Sequence, residues 1–109
     1  MAVLCPDLLF GSQVEGGLRA AGHEVTLLSR VEDARAAAAD ADVLVVDLTA
    51  DVPERVVLGD VASARTLAFY SHVEADTRAA AEEAGFDLVV PRSRMNREMG
   101  ALVDKLAAQ

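Results

Sequence analysis

A run of four aliphatic residues, Val-Leu-Val-Val at positions 43–46, lies between Asp42 and Asp47. A strand with one face in water alternates apolar and polar residues, whereas this run has no polar residue on either face. Such strands are typical of parallel sheets in which helices cover both faces. The run therefore predicts an interior strand of an α/β sheet, with Asp47 at its carboxyl end.

The segments on either side of this run alternate between strand-like and helix-like patterns. Val14, Leu18 and Ala21 follow at spacings of four and three, which is one face of a helix, and Gly22 is a suitable residue to end it. The same reasoning predicts strands over 2–5, 23–28, 42–48, 65–70 and 86–90, and helices over 11–22, 31–39, 74–84 and 93–108. The pattern is weakest between 50 and 63, where Pro53 indicates the start of a further helix.

Five strand–helix units joined by short connections predict a parallel sheet with right-handed crossovers and helices on both faces. In so short a chain this indicates a three-layer α/β/α fold, with a five-stranded sheet in the order 2-1-3-4-5. The 109 residues suffice for a single domain over 1–109 and not for two. Met1 and the predicted C-terminal helix lead us to expect that this domain is the complete chain.

The charge of the chain argues against several classes of partner. A formal net charge of −8 disfavours nucleic acid, whose phosphates are bound through Lys and Arg, and it disfavours an anionic membrane surface. No apolar run approaches the roughly 18 residues that a membrane span needs. Cys5 is the single cysteine, so an internal disulfide is impossible and a reducing, cytoplasmic location is predicted.

Polar residues follow the predicted strands at the edge where sheets of this type bind ligands, outside the carboxyl ends. The residues expected at this edge are Cys5, Pro6, Asp7, Asp47, Leu48, Thr49, Ser71, His72, Pro91, Arg92 and Ser93. Asp7 and Asp47 follow neighbouring strands, where two carboxylates could share Mg²⁺, a cation that prefers oxygen ligands. Each carboxylate could instead cap a loop or a helix N-terminus.

Three residues of this edge have both a chemical and a structural interpretation. Ser71 and His72 are suited to hold a phosphoryl oxygen or a water, and equally suited to form a polar turn before the next helix. Cys5 is either a nucleophile or a small buried residue. The sequence alone leaves both pairs of interpretations open.

A basic run stands at the start of the last predicted helix of this acidic chain. Its members are Arg92, Arg94 and Arg97. Positive charge is unfavourable at a helix N-terminus, so a partner carboxylate or a bound anion would stabilise it there. Salt bridges within the chain, to Asp7, Asp47 or Glu74, would have the same effect.

Three short motifs carry a resemblance to a known family. They are Asp47 after its apolar run, the tetrapeptide Ala-Gly-Phe-Asp at 84–87, and the tripeptide Val-Val-Pro at 89–91. Together with the layout of the whole chain, they resemble the receiver domains of bacterial response regulators in two-component signalling. The resemblance implies a flavodoxin-like fold, Asp47 as the phosphoacceptor and Asp7 as one of two acidic Mg²⁺ ligands. It also sets Ser71 or Tyr70 near the family's Thr or Ser after the fourth strand.

The chain departs from the family pattern in its chemistry. Pro6 stands in place of the second acidic residue, Pro91-Arg92 in place of a Lys-Pro pair, and Leu88 in place of the aromatic residue of the fifth strand. These departures resemble the atypical or pseudo-receiver domains, which act through protein contacts. Arg92 is one residue beyond the missing Lys, and we consider it a candidate to replace that Lys.

The predicted function is therefore a non-enzymatic signalling or protein-interaction domain that is poorly phosphorylated or not phosphorylated. Its predicted contact surface, for a protein partner or a homodimer, comprises Arg92, Arg94, Met95, Arg97 and Met99, because methionines adapt to partners and arginines bind anions. One alternative is a genuine phosphoacceptor modified on Asp47, with Mg²⁺ as the possible cofactor. Another is a small nucleotide-binding or phosphocarrier α/β domain, the carrier group being Cys5.

Overall fold

Five parallel strands form the centre of the molecule in a computed structural model, which describes residues 1–71 and 74–109. The strands are β1 (Ala2–Leu4), β2 (Thr26–Leu28), β3 (Val43–Asp47), β4 (Arg65–Tyr70) and β5 (Leu88–Pro91). Their order across the sheet is β2-β1-β3-β4-β5, so the predicted fold class and strand order are confirmed. Every residue of β3 is buried, which agrees with the unbroken apolar run of its sequence.

Helices cover the sheet on both faces. They are α1 (Leu8–Ala20), α2 (Val31–Ala38), α3 (Val52–Arg55), α4 (Ala75–Ala84) and α5 (Arg92–Ala107), and α3 continues into a 3-10 helix over Val56–Asp60. Among these described helices, none is long and apolar enough to cross a membrane. The segment between 50 and 63, where the sequence pattern is weakest, forms the single turn of α3 followed by the 3-10 helix.

Two of the predicted element starts differ from the observed ones by three residues, each for a local reason. Helix α1 begins at Leu8 and not at Gly11, because the Asp7 side chain accepts the backbone N–H groups of Leu9 and Phe10. Strand β2 begins at Thr26 and not at residue 23, because its partner β1 offers only three residues for pairing, from Ala2 opposite Thr26 onward. Propensity and periodicity report neither a cap nor the length of a partner strand.

The alternation of β3 side chains divides the apolar core into two layers. Val43 and Val45 pack with α1 and α5, whereas Leu44 and Val46 pack with α2, α4 and the 3-10 helix. Both layers are lined by fully buried aliphatic side chains, among them Leu18 on the first side and Leu58 on the second. Asp47, the last residue of β3, is consequently delivered to the carboxyl edge between two well-packed layers.

One close backbone approach joins the 3-10 helix to the end of α4. A Cβ atom added to Gly59 would lie only 2.8 Å from the carbonyl oxygen of Ala84, closer than such contacts allow. Gly85 ends α4 with φ of 106°, a left-handed conformation that glycine adopts without strain. These two glycines let the second helical layer pack against the sheet beside β4.

Candidate functional site

Asp47 lies at the carboxyl end of the central strand, with only 3% of the residue exposed. Its Oδ1 accepts hydrogen bonds from the backbone N–H and the hydroxyl of Thr49, at 2.8 and 2.5 Å. The carboxylate therefore closes the first turn of the loop that follows β3. A local cap of this kind holds the side chain in one orientation.

The second oxygen of Asp47 meets the thiol of Cys5 at the end of β1. The Cys5 Sγ donates to Asp47 Oδ2 at 3.6 Å, and it lies 4.0 Å from the carbonyl oxygen of Asp7. Burial raises the pKa of the Cys5 thiol from 9.0 to about 12, and the negative charge of Asp47 adds to the rise. The thiol thus stays protonated and acts as a hydrogen-bond donor, which disfavours the interpretation of Cys5 as a nucleophile.

An arginine that the sequence reasoning missed completes the surroundings of Asp47. The Arg55 guanidinium lies 3.7 Å from Asp47 Oδ2 through Nη1, and the same nitrogen donates to the Asp47 carbonyl oxygen at 3.0 Å. Its other terminal nitrogen, Nη2, donates to Asp51 Oδ2 at 3.1 Å. Arg55 is itself buried, at 7% exposure, so this is an internal ion pair. The available signal was the i, i+4 spacing of Asp51 and Arg55 on a short helix.

Asp7 serves as the N-cap of α1. Its Oδ1 accepts from the backbone N–H groups of Leu9 and Phe10, both at 3.0 Å, which satisfies two donors of the first helical turn. Its Oδ2 faces the Arg92 guanidinium at 3.9 Å. Of the two interpretations of Asp7 that the sequence left open, the observed geometry is that of the cap.

The residues at this edge do not fit a Mg²⁺ site. Both oxygens of the Asp47 carboxylate already have protein partners, and one oxygen of Asp7 is engaged by the helix N-terminus. Within residues 1–71 and 74–109 no group of three or more His, Cys, Asp or Glu side chains is arranged to hold a metal ion. Mg²⁺ is usually held by one or two carboxylates together with several waters, and the Asp47 carboxylate offers it no oxygen that lacks a protein partner.

Arg92 faces α1 and the cleft beside it. Its guanidinium carbon lies 4.1 Å from the centre of the Phe10 ring, a cation–π geometry, and the ring of Phe10 in turn packs edge-on against Phe69. Among the described ion pairs, the partner of Arg92 is Asp7. No ion pair or hydrogen bond between Arg92 and Asp47 is present among the described residues, so the contacts of Arg92 do not support its candidate role as a replacement for the missing Lys.

An open cleft of about 410 Å³ lies in front of Arg92. It is lined by Phe10, Gln13, Ser71, Arg92, Ser93 and Asn96. Ser71 thus belongs to this cleft. His72 lies outside the residues that the structure describes, and its predicted supporting role stays a prediction.

The predicted contact surface on α5 needs one correction. Met95 is fully buried and Met99 is 8% exposed, because both belong to the core layer between α5 and the sheet. Their side chains therefore face the core and not the outer surface of α5. Arg94 and Arg97 are exposed and both lie near Glu98, so the basic run remains at the surface, partly balanced by that carboxylate.

Two neighbouring leucines at the start of α1 are exposed. Leu8 is 87% exposed and Leu9 is 74% exposed, whereas the next residue, Phe10, is buried. They lie between Asp7 and Phe10, the two residues that contact Arg92. An apolar surface therefore adjoins the start of the basic run, a juxtaposition that helix periodicity alone did not predict.

Solved structures resemble this fold closely, although their sequences differ. A response regulator from Thermotoga maritima superposes with a TM-score of 0.79 at 14% identity, over 99% of this chain and 96% of that one. A structure described as an atypical orphan response regulator with a phosphorylation-independent regulatory mechanism has a TM-score of 0.74 at 18% identity, over 99% and 96% of the two chains.

A third similar structure is a putative pilus assembly-related protein of Burkholderia pseudomallei. It has a TM-score of 0.78 at 19% identity, over 98% of this chain and 87% of that one. No protein-family model matches the sequence, and no curated protein matches it significantly. The comparisons confirm the resemblance at the level of the fold, which is that of response-regulator receiver domains.

Proposed function

We propose that this chain is a receiver-like protein-interaction domain, not an enzyme, whose contacts do not depend on phosphorylation of Asp47. The observation that carries the proposal is the state of that carboxylate. It is buried, its Oδ1 is bound by Thr49, and its Oδ2 faces Cys5 and Arg55. A phosphoacceptor needs a free carboxylate oxygen with room for a metal beside it, and in this arrangement both oxygens of Asp47 already have protein partners.

One of the similar structures supports this proposal. It is described as an atypical orphan response regulator with a phosphorylation-independent regulatory mechanism. The present fold is compatible with such a mode of action, because a receiver fold can present contact surfaces whether or not its acidic residue is modified. The single cysteine, buried and protonated, is consistent with the cytoplasmic location that forms part of the proposal.

The contact surface in this proposal combines the exposed leucines with the basic run. Leu8 and Leu9 provide an apolar area, and Arg92 contacts the residues on either side of them, Asp7 and Phe10. Arg94 and Arg97 extend this positive charge along α5, in a chain of net charge −8. Arginine binds carboxylates well, and its charge steers an acidic partner toward the surface. We therefore expect the partner to present an acidic segment with aliphatic side chains. A second copy of this chain, itself acidic, is the homodimeric alternative.

Incubation with acetyl phosphate and Mg²⁺ tests the first part of the proposal. Intact mass spectrometry of the full chain should show no added phosphoryl group. Asp47→Asn serves as the control and should behave identically. A gain of one phosphoryl group in the wild type that disappears in Asp47→Asn would establish the chain as a genuine phosphoacceptor and overturn the proposal.

Two matched peptides test the contact surface. In amide NMR titrations, a peptide of Leu and Glu should shift the signals of residues 8, 9, 94 and 97, and the same peptide with Lys in place of Glu should not. Arg94→Glu combined with Arg97→Glu should abolish the shifts, whereas Arg78→Glu, an exposed arginine on α4, should leave them unchanged. Equal binding of both peptides, or of neither, would contradict this contact surface. Sedimentation of the free chain would then show whether the homodimer forms instead.

A further inference from the structure

We propose that Arg55 is the built-in cation of this cleft, so that its guanidinium neutralises Asp47 in place of a divalent metal and keeps such metals out. The inference deepens the proposed function and rests on it, since it names the group that makes Asp47 independent of metal and phosphate. It is carried by the buried contact between the two side chains.

The burial of both partners sets this ion pair apart. The side chains of Arg55 and Asp47 are 9% and 4% exposed. In every other ion pair of the described residues, at least one side chain is more than a third exposed. An ionised carboxylate without a counter-charge is costly to bury, so a cation must lie beside Asp47. Arg55 provides it from within the chain.

The guanidinium is held in place by three contacts and not by charge alone. It donates to the Asp47 carbonyl oxygen at 3.0 Å and to the Asp51 carboxylate at 3.1 Å, and it lies 3.7 Å from Asp47 Oδ2. Asp51 adopts a left-handed backbone conformation, with φ of 52°, at the point where α3 begins. Arg55 therefore ties the loop between β3 and α3 back onto the end of β3.

The same position opposes a metal ion. Mg²⁺ binds carboxylate oxygens at roughly 2.0–2.1 Å and keeps a full shell of oxygen ligands around it. On the Oδ2 side of Asp47, the neighbours are a thiol at 3.6 Å and a positively charged nitrogen at 3.7 Å. A divalent cation at Oδ2 would meet the like charge of the guanidinium, so occupancy by Arg55 and by Mg²⁺ should be mutually exclusive.

A Mg²⁺ titration of the full chain and of Arg55→Met tests this inference. In the wild type, millimolar Mg²⁺ should shift no amide signal of Cys5, Asp47 or Thr49 and should leave the Tm unchanged. In Arg55→Met, the buried carboxylate loses its counter-charge, so Mg²⁺ should shift these signals and raise the Tm through linkage. Arg35→Met, which removes a surface ion pair with Asp60, is the matched control and should not respond.

Either of two results would overturn the inference: Mg²⁺-dependent shifts at Asp47 in the wild type, or no Mg²⁺ response in Arg55→Met. If Arg55→Met does not fold, refolding is measured in Mg²⁺ and in K⁺ at equal ionic strength. Recovery in Mg²⁺ alone supports the inference. Failure in both salts, with Asp47→Asn/Arg55→Met folding normally in K⁺, overturns it. Phosphorylation of Asp47 would instead defeat the proposed function, so the two failures are distinguishable.

Discussion

The thiol of Cys5 and the carboxylate of Asp47 form a buried hydrogen bond of 3.6 Å that joins the ends of the neighbouring strands β1 and β3. The bond needs a protonated thiol, and burial together with the charge of Asp47 maintains one. In a phosphoacceptor the ends of these two strands would present acidic side chains to a metal and a phosphoryl group. Here the side chains of Cys5 and Asp47 are hydrogen-bonded to each other instead.

The raised pKa of Cys5 predicts a loss of stability in alkali. Folding holds this pKa at about 12 against 9.0 for the free thiol, so the stabilising contribution is complete below pH 9 and is lost as the pH rises toward 12. In that range the wild type should lose up to about 1.4 kcal/mol per pH unit more than Cys5→Ala. Urea unfolding of both proteins at several pH values measures the difference. Parallel pH profiles would contradict the prediction.

The N-cap role of Asp7 predicts a selective effect on stability. Asp7→Ala leaves the N–H groups of Leu9 and Phe10 without their acceptor and should cost about 1 kcal/mol in the free energy of unfolding. Asp7→Asn retains a capping oxygen and should cost a few tenths of that. Chemical denaturation distinguishes the two variants. If Asp7→Asn were as destabilising as Asp7→Ala, the charge of Asp7, and not its cap, would be the stabilising feature.

The burial of the Arg55–Asp47 pair predicts unequal effects of two arginine substitutions. Arg55→Met leaves Asp47 buried without its counter-charge and should destabilise the fold by about 3–5 kcal/mol. Arg35→Met breaks an exposed pair with Asp60 and should cost no more than about 1 kcal/mol. Thermal and urea unfolding give both values. Similar losses of unfolding free energy in the two variants would show that the internal pair stabilises the fold no more than the exposed pair does.

The close approach at Gly59 predicts opposite outcomes for two glycine-to-alanine substitutions. Gly59→Ala would bring a methyl group within 2.8 Å of a backbone oxygen and should destabilise the chain by about 1–3 kcal/mol. Gly16 lies in the middle of α1 with nothing within 4 Å of an added Cβ, so Gly16→Ala should stabilise by about 0.4–1 kcal/mol. The signs of the two changes in the urea midpoint check the packing of the second layer.

The sheet was predictable because its signals are local. The run at 43–46 identified β3 as an interior strand, and the alternation of strands and helices then left one common strand order, which the structure confirms. The start of α1 was missed because it depends on a side-chain cap by Asp7. The start of β2 was missed because strand length depends on the pairing partner.

The candidate site was predictable only in part, because its contacts are tertiary. Topology set Asp47 and Cys5 at the carboxyl edge, where the structure has them. The i, i+4 spacing of Asp51 and Arg55 was a signal for their own pairing, but it does not indicate that Arg55 also contacts Asp47. Likewise, Met95 and Met99 share a helix with the exposed arginines, and only the packing of α5 determines that they face the core.

The most direct test of the account is an amide NMR titration of the full chain with beryllofluoride and Mg²⁺, which together mimic a phosphorylated aspartate. The Asp47 carboxylate already accepts hydrogen bonds from Thr49 and Cys5 and pairs with Arg55. We therefore expect no shift of the signals of Asp47, Thr49 or Ser71. Saturable shifts at these residues, absent in Asp47→Asn, would show that the carboxylate is open to a phosphoryl group and would contradict the account.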